Sequence, residues 1–410
     1  MLTPPQADSA RRMAPRFNLA DGRWVALIMV ALFLTVVCIL ASRMDSVRVW
    51  AWVGVEHLRP SFFDTRVITT GLDTYRLGGD PLVANRLDPW HRPMNYPRVW
   101  LGLARLGIAE KDTATLGILI ACSFFAAMLL LMGRITAIEG AIYGMLLCLP
   151  AVTLGLERGN IDLVIFALLV VAALLFGQRA GTYGSYGLLT FATVLKLYPV
   201  CGFVIGLRER RRLGLALLVI CVAASVFYFY WIRKDIALIA RRTPQIKEIS
   251  YGRRVLFQEL AAWHFAVDIE AWSRIAVIGS VLLAVIASAV TKQLEFSSRA
   301  GTLMTMGAAI YAGSFAVMNN FDYRLIFLLF LIPQLLEWAR RRDPYRWVGV
   351  ASIVMIAGAL LLANADTLQL PLFILKEILN WMAFIFCMVI LLCLGKGPGS
   401  ALLSRLSLSH

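Results

Sequence analysis

Two short polar clusters sit at the ends of membrane-length apolar runs: Glu157-Arg158-Gly159-Asn160-Ile161-Asp162 in one place and Lys196-Leu197-Tyr198-Pro199 in another. A third group lies in the loop after the first apolar run. It carries Asp64 within Phe62-Phe63-Asp64-Thr65-Arg66, then Gly78-Gly79-Asp80-Pro81, then Met94-Asn95-Tyr96-Pro97. Ionisable groups at membrane depth are expensive and persist mainly where they line a polar cavity, so these are the places to look for chemistry. A carboxylate such as Asp64 can take the proton of an attacking hydroxyl. Arg158, Lys196, Arg253, Arg254 and Arg324 are cations able to stabilise an anion or developing negative charge. Each has a plainer alternative. Asp64 could cap a helix or pair with Arg66, Lys196 and Arg324 could snorkel to headgroups, and Arg253 and Arg254 could belong to a solvated loop. Glu157 could orient Arg158 or simply pair with it. Tyr96 and Tyr198 could stack on a substrate, although interfacial belts collect tyrosines anyway. Asp73, Asp80 and Asp88 read as turn or capping residues.

The elements that must position these groups are apolar helices. The chain has 410 residues, 60% hydrophobic and 16% charged, with a mean hydropathy of +0.73, which marks an integral membrane protein. Runs free of acidic and basic residues recur from Trp24 to Ser42, Thr113 to Gly133, Gly140 to Leu156, Leu163 to Gln178, Leu213 to Ile232, Ile275 to Thr291, Ala300 to Phe321, Trp347 to Ala365 and Ile378 to Gly395. Leu325 to Ala339, interrupted only by Glu337, counts as a further span. The fold class expected is all-α: a polytopic bundle of roughly 10 to 12 membrane segments, forming one domain over residues 1–410 with outer loops at 43–112 and 233–274. The first run follows Arg11, Arg12, Arg16 and Arg23 and is too long for a cleaved signal, so it reads as a retained helix with a cytoplasmic N-terminus.

Two strongly basic loops, Arg208-Glu209-Arg210-Arg211-Arg212 and Arg340-Arg341-Arg342, should be cytoplasmic. Crossing parity then requires residues 180–207 to leave and return on the same side. With too few residues for two full spans, they read as a broken, re-entrant pair with Lys196 to Pro199 near its outer tip. That parity puts Asp64, Glu157 and Arg324 on one outer face, with first-loop short helices lying along the surface. The formal charge of +15 reads as cytoplasmic loops and contact with membrane lipids rather than nucleic acid. All seven cysteines fall in apolar runs, so no disulfide framework is expected.

An Asp after the first span, a Gly-Gly-Asp-Pro, an Asn-Tyr-Pro, a Glu-Arg-Gly-Asn, a Lys-Leu-Tyr-Pro and a Tyr-Arg pair together resemble the GT-C glycosyltransferases of family 87, from about Asp64 to Arg324. One departure is Arg98, where that family commonly has a second proline after Tyr-Pro. The resemblance implies a GT-C-like bundle that transfers a sugar, mannose or similar, with inversion. The donor would be polyprenyl-phosphate-linked, the acceptor a lipid or glycan, and the site would face outward from a bacterial plasma membrane. It implies Asp64 as catalytic base, Arg158, Lys196, Arg324, Arg253 and Arg254 around the donor phosphate, and Asn95, Tyr96, Glu157, Asn160, Tyr198 and Asp322 around the substrates. No nucleotide sugar, cofactor or metal is expected, and the four histidines are too scattered for a zinc site. The competing readings are a lipid or oligosaccharide transporter, for which internal repeats and charges at mid-depth would be expected, and a polysaccharide polymerase or ligase of the same fold class.

Overall fold

The computed structural model describes residues 21–178, 180–209, 211–243, 246–291, 294–317, 319–363 and 370–407; Arg11, Arg12, Arg16 and Arg210 lie outside the described residues. The helices are α1 (Gly22–Arg43), α2 (Ser46–Trp52), α3 (Phe63–Arg76), α4 (Thr113–Met132), α5 (Ala137–Leu147), α6 (Pro150–Arg158), α7 (Asp162–Leu175) and α8 (Gly181–Leu195). They continue as α9 (Arg212–Trp231), α10 (Arg233–Arg242), α11 (Val255–Ala262), α12 (Ile269–Val290), α13 (Ser298–Val317), α14 (Ile332–Ala339), α15 (Tyr345–Leu361) and α16 (Leu370–Ser407). A two-residue antiparallel pairing, Ser250 with Phe321 and Tyr251 with Asn320, is the sheet structure among the described residues. The chain is an all-α, multi-pass membrane protein: six of these helices are long and apolar enough to cross a bilayer, seven if α5 and α6 count as one bent span. α9 and α12 expose Val219, Phe227, Ile278 and Ile286, as lipid-facing helices do. α13 is the opposite case, buried along most of its length and packed against α7, α14, α16 and residues 198–208 and 322–331.

Small residues set the closest packing. α1 lies on α5 through Gly140 and Gly144; a Cβ on Gly140 would stand 1.9 Å from the Gly22 carbonyl oxygen. Four-residue spacing of small residues lets two helices approach this closely. The run Gly140 to Leu156, expected as one span, is instead bent by 60° between α5 and α6. Pro150 stands at the first position of α6; it lacks an N–H and disfavours helical backbone at Leu149 before it.

Residues 180–208 fold as the broken pair expected. α8 ends at Leu195, and a 3-10 helix, Tyr198–Arg208, returns beside it and against α13. Fifteen residues of α8 rise roughly 22 Å at 1.5 Å each. The eleven 3-10 residues cover about the same distance at roughly 2.0 Å each. Tighter winding therefore lengthens the shorter leg to match. Both legs end together, because Arg211 reaches the Thr182 hydroxyl (3.3 Å) and the Gly177 carbonyl (3.4 Å). Likewise a 3-10 helix, Asp322–Leu331, runs straight into α14, the two covering about 32 Å, enough to span a hydrocarbon core of roughly 30 Å.

The polar groups fall at two ends of the bundle. At one end Arg208 donates to the Ser297 carbonyl, Arg340 pairs with Glu139, and Arg341 with Glu295. One helix length away lie Asp64, the residue 157–162 cluster, Lys196 and Arg324. The first loop supplies α2, α3 and the 3-10 helix Arg98–Leu106; α3 buries most of its residues instead of lying exposed along the surface.

Candidate functional site

Gly159 closes α6 in the left-handed region (φ 56°), a conformation glycine adopts without strain. A side chain there would also meet Thr65 Oγ1 at 2.5 Å and the Phe62 ring at 3.0 Å. The bare glycine lets the Thr65 hydroxyl donate to its carbonyl (2.6 Å) and lets the start of α3 dock on the turn. Phe62 ties down from the other side, its N–H donating to the Glu157 carbonyl (3.2 Å). Asp64, in the first turn of α3, is thereby held against the next residue of the turn: Asn160 donates its side-chain amide to Asp64 Oδ2 at 2.5 Å.

Asn160 Oδ1 accepts the backbone N–H of Asp162 (2.7 Å), a local turn that starts α7. It also lies 3.4 Å from Lys196 Nζ. Asp162 is the hub of the cluster. Lys196 donates to its Oδ1 at 2.7 Å and the Tyr198 hydroxyl to the same oxygen at 2.6 Å, while Arg324 Nε reaches Oδ2 at 3.1 Å. An anion at a helix N-terminus is further favoured by the backbone dipoles. Arg324 also bonds Asn320 and covers the Tyr198 ring at 4.5 Å, and the Lys196 ammonium stands 5.1 Å from the Tyr96 ring.

The backbone supplies the reason Lys196 is where it is. α8 must stop before Pro199, and its last carbonyls find side-chain donors: Val194 from Tyr228 (3.1 Å), Leu195 from Trp100 (3.0 Å). Lys196 then takes extended backbone.

Two cations thus share one buried carboxylate, and both are more exposed than it is. Asp162 is 1% exposed, whereas Lys196 and Arg324 are 13% and 12% and Asp64 16%. An ammonium has three donors and a guanidinium five, so both retain capacity for an incoming anion. Asp64 keeps Oδ1 for another partner; Arg92 is 3.9 Å from it, its guanidinium stacked on Phe63 and held by Asp88 at 2.8 Å. Behind this layer His57 bonds Glu157 (2.6 Å) and Arg158 bonds Glu56 (2.9 Å). A cleft of about 820 Å³ lies on the far side of His57, between the end of α1, α2 and residues 57–61, lined among others by Ser42, Trp50, His57 and Arg59 and by none of Asp64, Asn160, Lys196 or Arg324.

The structure therefore gathers Asp64, Asn160, Lys196, Tyr198, Arg324 and Tyr96, with Glu157 and Arg158 just behind and Asn95 half-buried beside Tyr96. Asp64 is not paired with Arg66, which turns to Glu110 (2.8 Å). Arg253 and Arg254 are not in this group: Arg253 bonds Ser273 (2.6 Å) and Glu270 (3.0 Å), and Arg254 pairs with Glu270 too. Asp322 does not line the site either. It is fully buried, paired with Lys376 at 2.7 Å, because Lys376 projects from α16 into the core and needs an anion there. Asp80 is a turn residue, accepting from Leu82 N–H (3.1 Å). Arg98, the departure from proline, bridges Asp80 (2.8 Å) and Asp235 (2.9 Å) and so ties the first loop to α10.

Sequence reasoning gave no role to Asp162, Arg92 or Lys376. Asp162 carried a usable signal, a carboxylate opening an apolar helix two residues after Asn160. Lys376 was hidden by the Lys376-Glu377 pair, which made the last apolar run seem to start at Ile378. No group of three or more His, Cys, Asp or Glu suited to a metal occurs among the described residues. No family model matches the chain, and no curated protein or solved structure was found similar to it.

Proposed function

We propose that this protein is an integral-membrane glycosyltransferase that moves a sugar, mannose or similar, from a polyprenyl-phosphate donor to a lipid or glycan acceptor at the outer face of a bacterial plasma membrane. One observation carries the reading: Asn160 joins a partly exposed carboxylate, Asp64, to Lys196, which shares Asp162 with a second partly exposed cation, Arg324. A base and a phosphate-binding pair side by side are what an inverting transfer from a lipid phosphate requires. In this reading the acceptor oxygen attacks the anomeric carbon as the bond from that carbon to the phosphate oxygen breaks. Asp64 takes the hydroxyl proton, and polyprenyl phosphate leaves with its charge against Lys196 and Arg324. The cleft beside α1 and α2 would admit one of the lipid-linked substrates. The transporter reading gains little from the buried Lys376–Asp322 pair, since Lys376 stands on the second turn of α16, at the same end as Arg324 rather than at mid-depth.

The test is transfer itself. Purified protein in nanodiscs, given radiolabelled polyprenyl-phosphate mannose and extracted envelope lipids, should yield a labelled product with wild type and none with Asp64→Asn. Mass spectrometry of envelope glycans with and without the protein identifies sugar and acceptor; an unchanged glycan profile together with no transfer from any polyprenyl-phosphate sugar refutes the reading.

A further inference from the structure

At the end of the bundle opposite Asp64 lies a cavity of about 140 Å³, between the end of α4, the start of α5, the start of α13 and α14. Arg134, Arg299 and Arg340 line it. Tyr143, which also lines it, is wholly buried, and its hydroxyl has no hydrogen-bond partner in the protein. Buried hydroxyls are nearly always bonded to protein or water, so the Tyr143 hydroxyl has a hydrogen bond left to give at the cavity wall. Of the two carboxylates near these arginines only Glu337 lines the cavity, and both are engaged: Glu139 accepts the Thr136 N–H (2.8 Å) and pairs with Arg340, while Glu337 accepts from Ser297 and Gln334 (3.3 Å each). Arg299 donates to the Leu130 carbonyl and lies over Gly133, where a Cβ would stand 2.9 Å from its Nη1. Three guanidinium groups against two occupied carboxylates leave a net positive cavity.

We propose that this cavity binds a phosphate group. Arginine forks match the oxygens of phosphate, and the Tyr143 hydroxyl would donate to the same anion from below. Two carriers share that chemistry, the headgroup of an anionic phospholipid and free inorganic phosphate. The surroundings suit the first: Leu130, whose carbonyl takes the Arg299 bond, and Ile138, next to Glu139, both expose their side chains, as flanks for acyl chains would. Basic pockets between spanning helices commonly hold such headgroups. The site is separate from the Asp64 cluster and does not depend on the glycosyltransferase reading.

The experiment is calorimetric titration of the full-length protein in neutral detergent with short-chain phosphatidylglycerol, and separately with inorganic phosphate. Saturable one-to-one binding is expected, weakened about tenfold or more in Arg299→Gln and in Arg134→Gln and several-fold in Tyr143→Phe. Arg341→Gln, whose guanidinium pairs with Glu295 outside the cavity, should bind as wild type does. Binding of the lipid without inorganic phosphate assigns the headgroup; inorganic phosphate that competes with the lipid assigns the anion whatever its carrier. No saturable binding of either, or the same weakening in Arg341→Gln, overturns the proposal. Arg134 is exposed on the turn between α4 and α5, so its variant reports binding even where Arg299→Gln fails to fold.

Discussion

Asn160 donates its side-chain amide to the Asp64 carboxylate at 2.5 Å, across 96 residues of chain. The contact aims a carboxylate that nothing in its own helix holds in place. Asp64→Asn should leave folding and donor binding intact and reduce transfer on the order of 10² or more. Asn160→Ala should lower turnover more than donor affinity, because it frees the orientation of Asp64. Steady-state transfer kinetics check both; wild-type turnover in Asp64→Asn would remove it as the base.

Lys196 and Arg324 share Asp162, so either alone should hold part of a donor phosphate. Lys196→Met or Arg324→Met should weaken binding of a polyprenyl-phosphate sugar about tenfold or more, a charge-assisted bond contributing roughly 1.5–3 kcal/mol. Arg208→Met, at the other end of the bundle, is the control. Equal, small effects in all three variants, measured in nanodiscs, would remove the pair from the site.

The Lys376–Asp322 pair is inaccessible on both sides. Lys376→Met strands a buried carboxylate and should cost about 3–5 kcal/mol, whereas Lys376→Met combined with Asp322→Leu should recover much of that loss. Denaturant unfolding in detergent gives the double-mutant cycle, and additive losses would show that the two do not interact.

Arg98 fastens Asp80 and Asp235, and its guanidinium keeps the Asp80 carboxyl below its ordinary range. The tether therefore holds above the usual carboxylate range and is lost as the pH falls below it. Arg98→Ala should raise amide exchange in residues 98–106 and 233–242 at neutral pH, and wild type should show the same increase only in acid. Unaltered exchange in the variant would deny the tether.

Single cysteines in a cysteine-free background test the two faces. Leu77→Cys and Phe321→Cys should label from the outside, Arg342→Cys from the cytoplasm. Labelling of Phe321→Cys and Arg342→Cys from one side would contradict the path from Asp322 through α14.

The all-α class and the reversal at Lys196 were legible because charge-free runs and basic loops report directly on a bilayer. The residues of the Asp64 cluster were legible as polar groups ending such runs. What could not be read was which of them touch: nothing local tells Asp162 from Asp322, yet one anchors two cations beside Asp64 and the other neutralises Lys376 in the core. Such pairings are fixed by helix packing across more than 30 residues of sequence. The break before Pro150 carried a local signal that the length of the run concealed.

The equal legs of the α8 hairpin have a consequence for depth. Arg208 and Arg211 sit at its open end, and each leg rises roughly 22 Å, while the hydrocarbon layer is about 30 Å thick. With the arginines at one headgroup plane, Lys196 stops roughly 8 Å short of the other. The Asp64–Lys196–Arg324 cluster would then lie at the bottom of a recess below the bilayer surface, which on the proposed function a phosphate on a polyprenyl chain enters sideways, while a water-soluble sugar nucleotide would have to shed its hydration to descend.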